Sequence, residues 1–271
     1  MVAAAPPRPA SAEGLHGTPR RYKSLLFYVE ACESGSVFEG LLPSNISARV
    51  VTAANPSESS WGWYCGDESS GSNVVNGHSM SVCLGDEFSV RWLENTDNNT
   101  RSETVDDQVT AVTAAVTKSH VQDYGDASWG SDPLSDFLGT DPTSSKPQPK
   151  PRTAGGVDSR DALLRMLQFE LSTLVREGGS AEATAEARRA VTAEEDARAA
   201  ADAQFQHMWA ALEPNKPFET RLAPRDFDCH RAAIQKGAIA YTDYSLQHHR
   251  AVVALCELGH SADAVAAAYR G

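Results

Sequence analysis

An apolar run, Leu25-Leu26-Phe27-Tyr28-Val29, breaks abruptly into Glu30-Ala31-Cys32-Glu33-Ser34-Gly35-Ser36. A continuous apolar stretch of strand length, bounded by turn formers, reads as a buried strand of the kind parallel sheets use. Open α/β sheets place their ligands and chemistry beyond the carboxyl ends of such strands, and Cys32 falls there. Glu30 lies two residues earlier, so it shares a side of the strand with Cys32. A thiol and a carboxylate aimed into one crevice make a cysteine nucleophile beside a charged specificity pocket. The spacing is equally met by a buried cysteine at a strand end with a solvated glutamate.

The rest of the chain divides by composition. Residues 1–20, rich in Ala, Pro, Gly and Arg, read as a disordered tail. Ala48–Ala53 is a second, β-branched strand closed by the breaker Asn55-Pro56. Two such strands joined through residues 33–45 make an α/β unit. Gly85–Glu94 reads as a helix with Phe88, Val90, Trp92 and Leu93 apolar. Ser102–Lys118 reads as another, with Val105, Val109, Val112 and Val116 at helical spacing. Residues 143–156 (TSSKPQPKPRTAGG) are an extended linker. Beyond it the composition turns to Ala, Glu, Arg and Leu. Helices are expected over Asp158–Arg176 with Ser159 as N-cap, Ala181–Leu212, Asp226–Tyr244, Ser245–Glu257 and Ser261–Arg270. The expected organisation is thus an α/β part over 21–142, the linker, and an all-α part over 157–271.

Charge follows the same division. Residues 1–142 hold eight basic and nineteen acidic residues, net −11; residues 143–271 hold sixteen and seventeen, net −1. An acidic first part lacks the basic footprint that nucleic acid requires. It permits docking of the less acidic second part, and equally a plain solvated surface. No run of about eighteen apolar residues is present to span a membrane. The Ala/Pro-rich N-terminus has no apolar core of a secretory signal. Five cysteines fit two disulfides and one reactive thiol in an oxidising compartment, or five reduced thiols in the cytosol. Cys65 and Cys83 flank a Gly/Ser/Asn-rich loop, Cys229 and Cys256 lie in the helical part, and Cys32 is left single. Asn45-Ile46-Ser47 and Asn98-Asn99-Thr100 are glycosylation sequons.

LLFYVEACESGSVFEGLLP closely resembles the nucleophile segment of legumain, the asparaginyl endopeptidase, in its plant vacuolar-processing form. VVTAANPSESSWGWYC resembles that family's strand and substrate-binding loop, and CLGDEFSVRWLENTD the helix that follows. SHVQDYGD and FLGTDP are similar to the end of the catalytic domain. VDSRDALLRML and YSLQHHRAVVALC resemble parts of the C-terminal prodomain. The fold implied is the C-terminal part of a three-layer, caspase-like αβα domain, followed by a helical prodomain.

The resemblance implies roles. Cys32 matches the catalytic nucleophile, which attacks an amide only as thiolate. Glu30 and Asp86 match acidic residues of the pocket that reads an asparagine side chain, and a protonated carboxyl there would tolerate aspartate at acid pH. Asp86 can also N-cap a helix opening at Glu87. Ser59, Ser60 and Trp61 match the loop that lies along bound peptide. The implied substrates are peptides or proteins containing Asn, with no metal and no cofactor. The chain's own helical prodomain would be an intramolecular cap, and the compartment vacuolar, lysosomal or secretory. Of the four prodomain cysteines, Cys229 and Cys256 match the first and third, so they are expected to pair. The family's catalytic histidine, in a D-H-G-[AG]-P-G word on an earlier strand, has no match; His16 precedes Cys32 by only 16 residues and resembles an incidental histidine. The chain thus reads as a truncated peptidase, inactive alone. The alternative is a non-catalytic relative that binds an intact family member through its helical domain.

Overall fold

The computed structural model describes residues 2–4, 22–65, 73–80, 82–99, 103–139, 156–218 and 222–271. The chain forms two compact units, residues 1–169 and 170–271.

The first unit is built on a four-stranded sheet of order β1-β2-β3-β8: β1 Val2–Ala4, β2 Leu25–Val29, β3 Ala48–Thr52 and β8 Gln122–Gly125. β2 and β3 run parallel with Leu25 opposite Ala48 and Val29 opposite Thr52, while β1 and β8 pair antiparallel on either side. β1 belongs to the stretch whose composition reads as a disordered tail. It covers the β2 edge at Leu25–Phe27; residues 5–21, with His16, lie outside the described residues.

β3 is buried along its whole length, as a central strand should be, but β2 alternates. Leu26 and Tyr28 are sealed in the core, while Leu25, Phe27 and Val29 stay half-buried on a face where Phe38 packs edge-on to Phe27. Leu26, Tyr28 and Val51 meet Phe88, Trp92, Val105, Val112 and Leu134 in one core. Each large apolar side chain so buried contributes roughly 1.5–3 kcal/mol.

Around this sheet lie short strands and helices. β4 (Trp61–Trp63) is central in a second sheet, and β5 (Val74–Val75) pairs with β6 (His78–Ser79). β7 (Gly85–Asp86) pairs antiparallel with β4 and leads into helix α1 (Glu87–Asn99). The helix expected from Gly85 therefore starts two residues later, because Gly85 and Asp86 are held in that pairing. Helix α2 is Val105–Ala115, set by a capping box in which Thr104 and Asp107 satisfy each other's backbone N–H. A short helix, α3, spans Ser135–Leu138.

The helix expected over Asp158–Arg176 is divided. Val157–Asp158 forms β9, antiparallel to the other edge of β4; a 3-10 turn follows at Ser159–Asp161, and helix α4 runs Ala162–Glu177. The cap is the Asp158 side chain, which accepts from the Arg160 N–H, rather than Ser159.

Among the described residues of the second unit every regular element is helical: the end of α4, then α5 (Ala181–Leu212), α6 (Phe227–Gly237), a 3-10 turn at Ser245–His248, α7 (His249–Glu257) and α8 (Ala262–Arg270). Its core joins Phe205, Met208 and Trp209 to Val252, Leu255, Val265 and Tyr269. The helix expected to reach Tyr244 stops at Gly237. Ala238 turns left-handed (φ 48°), and the Ala240 carbonyl then accepts from Ser245 Oγ and from His249 Nε2. Two disulfides form as the sequence led us to expect, Cys65–Cys83 and Cys229–Cys256, leaving Cys32 as the free thiol.

Candidate active site

Cys32 sits in the turn that leaves β2, and that turn is pinned to its neighbours by backbone and side-chain bonds. Ser34 Oγ accepts the Ala54 N–H at 3.1 Å, Gly35 N–H donates to the Ala54 carbonyl at 3.0 Å, and Glu33 N–H donates to the Glu58 carbonyl at 2.7 Å. Glu33 takes a left-handed conformation, φ 50°. That conformation is costly for a residue with a Cβ and persists where surrounding contacts fix it. Among the described residues the half-buried Cys32 thiol lies 3.6 Å from Ser60 Oγ, and no histidine is hydrogen-bonded to it.

Two carboxylates lie beside this turn. Glu30, at the end of β2, accepts the Ser89 N–H at 2.7 Å through Oε2, while its buried Oε1 has no hydrogen-bond partner. Burial pushes the Glu30 carboxyl up to about 7; the Ser89 amide opposes that shift, and the charges of Asp86 and Glu87 add to it. Asp86, at the end of β7, is also raised by burial, with the Ser159 hydroxyl 3.4 Å from its Oδ1 pulling the other way. An unpartnered buried carboxyl oxygen can take a proton, or a hydrogen bond from an amide NH2.

The loop 55–61 forms the facing wall. Glu58 holds it closed: Oε1 accepts the N–H groups of Asn55 and His120, and Oε2 meets His120 Nδ1 at 2.8 Å. Ser60 is 2% exposed and donates to Ser159 Oγ at 3.1 Å. Trp61 opens β4, with the Lys118 ammonium 5.5 Å above its ring. Gly62 lies close against the disulfide: a Cβ here would stand 3.1 Å from Cys83 Sγ and 3.3 Å from Cys65 Sγ, a tight contact. The disulfide therefore packs directly under the strand.

The cleft is occupied by the chain itself. Val157 and Asp158 pair with Gly62 and Trp61, and the Ser159 N–H donates to the Ser60 carbonyl at 3.0 Å. Ser159 faces Asp86 and Ser60. The next residue, Arg160, is 8% exposed and donates through one guanidinium nitrogen to Ser59 Oγ and through another to Glu33 Oε2. This is strand addition to a sheet edge, the manner in which extended peptides bind.

Six residues singled out by sequence thus lie around the turn after β2 and the segment Val157–Arg160: Cys32, Glu30, Asp86, Ser59, Ser60 and Trp61. Sequence reasoning missed Glu33, Ser89, Glu58, Ser159 and Arg160. The only local signal for the last two was a β-branched Val157 after two glycines, which favours an extended entry. Asn45 is exposed, and Asn98 is exposed on α1 with its Nδ2 donating to the Glu94 carbonyl. Among the described residues no cluster of three His, Cys, Asp or Glu could hold a metal, and no helix is long and apolar enough to cross a membrane.

Comparison with known proteins gives one family match and several relatives. Residues 15–140 match the peptidase C13 family. The chain is 41% identical over 128 residues to a vacuolar-processing enzyme of Vicia sativa, covering 45% of this chain and 25% of that protein. A vacuolar-processing enzyme of Citrus sinensis is 45% identical over 129 residues, again 45% of this chain and 25% of the relative. A hemoglobinase of Schistosoma japonicum is 39% identical over 153 residues, 55% of this chain and 33% of the relative. The chain spans a quarter to a third of the length of these relatives.

Proposed function

We propose, on the premise that residues 15–140 are peptidase C13 sequence, that the cleft at Cys32 is the nucleophile and substrate side of a cysteine endopeptidase of caspase-like α/β fold that cuts after asparagine. The observation that carries this is the convergence at one strand end of a free thiol, a buried carboxyl with an unpartnered oxygen, and a sheet edge already holding an extended segment. In this reading Cys32 attacks the peptide carbonyl. Glu30 and Asp86 receive the Asn side-chain amide, or share a proton with an Asp side chain at acid pH. Ser60 and Trp61 pair with the substrate backbone, and the reaction takes place in a vacuolar or lysosomal compartment.

The segment Val157–Arg160 serves as an intramolecular cap, the start of a helical prodomain. It bends into a 3-10 turn at Ser159, whose hydroxyl accepts from Ser60, the neighbour of the Cys32 thiol, so it occupies the ground beside the thiol without continuing as an extended strand. Asn45 and Asn98 are the proposed glycosylation sites, and exposure of both suits that role.

Thiol activation needs a base, and no histidine among the described residues reaches Cys32. That observation favours a second reading for the chain on its own: a non-catalytic relative that binds or restrains an intact family member. The two are separated by incubating the chain at mildly acidic pH with a fluorogenic peptide ending in Asn, beside a Cys32→Ala control. The expected result is no Cys32-dependent turnover. Turnover lost in Cys32→Ala would show that a histidine within this chain reaches the thiol.

A further inference from the structure

We infer that Glu33, with Ser59, forms a subsite that selects a basic side chain at the peptide position directly after the one held by Glu30 and Asp86. The inference rests on the peptidase-cleft reading above. The chain's own segment sets the order of positions. Ser159 faces Asp86 and Ser60, and the next residue, Arg160, reaches Glu33 and Ser59.

In a straight strand, successive side chains point to opposite faces. Here the turn at Ser159 brings both into the cleft, so a selected peptide bends at the same point. Glu33 is suited to be a fixed reader. Its backbone is locked at φ 50° by the bond to the Glu58 carbonyl, and it directly follows the nucleophile. Its side chain is 19% exposed and that of Arg160 9%. A carboxylate this shielded gains most from a charged donor and is left poorly solvated by a neutral one. An acidic side chain in the same place meets like charge. Arginine's planar fork spans Glu33 and Ser59 at once, and lysine reaches them one at a time.

The test uses the full chain and the alkylation rate of Cys32 by iodoacetamide. Arg160→Glu sets a second carboxylate against Glu33 and should expel the segment, raising the rate about tenfold, which corresponds to about 1.4 kcal/mol. Glu33→Lys with Arg160→Glu should restore slow alkylation. An unchanged rate in Arg160→Glu overturns the subsite. Extended peptides Val-Asp-Asn-Arg, Val-Asp-Asn-Ala and Val-Asp-Asn-Glu are then added to the Arg160→Glu chain. The Arg peptide should protect Cys32 at about one-tenth the concentration the Ala peptide needs, and the Glu peptide should be the weakest. In Glu33→Lys, Arg160→Glu the ranking should invert. Equal protection by all three peptides overturns the selection for a basic residue while leaving the cleft reading intact. Protection by none of them overturns the cleft reading and the subsite with it.

Discussion

Ser89, in the first turn of α1, donates its backbone N–H to Glu30 at 2.7 Å, across 59 residues of sequence. The strand that delivers Cys32 therefore also anchors the helix that follows Asp86. One carboxyl both ends the strand and holds the neighbouring helix, so its protonation bears on stability and, in the proposed reading, on recognition.

Glu30 should make the first unit less stable as pH rises. Its ordinary value is 4.5 and burial raises it to about 7 in the folded chain. Between those values the folded state holds a proton that the unfolded chain has lost. The stabilisation is full below 4.5 and is lost as pH rises through 7, a change of ~3 kcal/mol. Hydrogen exchange at the core amides of Leu26 and Val51 should speed up over that window, and Glu30→Gln should flatten the profile. A flat profile in the parent chain contradicts this assignment.

The second unit should respond in the opposite sense. His230 is lowered by burial and by the charge of His249, whose ring centroid is 6.1 Å away. His249 is lowered by burial and by His248, against the pull of the Ala240 carbonyl. Below the ordinary value of 6.5 the unfolded chain takes up protons that the folded unit refuses. Stability is therefore kept above 6.5 and lost as pH falls. His230→Phe keeps the ring packing and removes one titrating group, so it should retain more of its stability at acid pH. Exchange at Val252 and Leu255 in the parent and the variant measures this.

Gly35→Ala should loosen the turn that carries Cys32. A Cβ at this position would meet the Tyr124 hydroxyl at 2.7 Å, Pro56 Cδ at 2.9 Å and the Asn55 carbonyl carbon at 3.0 Å. Overpacking of this kind costs about 1–3 kcal/mol. The denaturation midpoint of the first unit should fall accordingly, and Cys32 should alkylate faster. No change in either would mean the turn can shift freely.

Removing the bridge between α6 and α7 by Cys229→Ser with Cys256→Ser should destabilise the second unit by about 2–5 kcal/mol. The sequence separation of 27 residues gives the unfolded chain a loop worth constraining. Calorimetry of parent and double variant gives the difference directly.

The parallel β2–β3 pair was legible because an apolar run and a β-branched run each ended at turn formers. The long helix α5 was legible from its Ala, Glu and Arg content alone. The strand β4 was not, since Trp61-Gly62-Trp63 is three residues long and its glycine packs against a disulfide whose cysteines are 18 residues apart. The role of Val157–Arg160 was hidden for a related reason. Asp158 and Ser159 favour helix starts, and only a partner edge, invisible in one segment, makes Val157 and Asp158 a strand. Within the candidate site, Cys32 and Glu30 followed from a strand-end argument. Glu33 did not, because its position depends on a left-handed backbone fixed by the distant Glu58 carbonyl.

The central claim is that Cys32 is a nucleophile served by an asparagine-reading cleft. The most direct measurement is the labelling of Cys32 by a short peptide chloromethyl ketone ending in Asn, against the same reagent ending in Leu, at mildly acidic pH. The account predicts selective labelling of Cys32 by the Asn reagent, at least about tenfold faster, with the preference lost in Glu30→Ala and in Asp86→Ala. Equal rates for the two reagents, unchanged by either substitution, would contradict it.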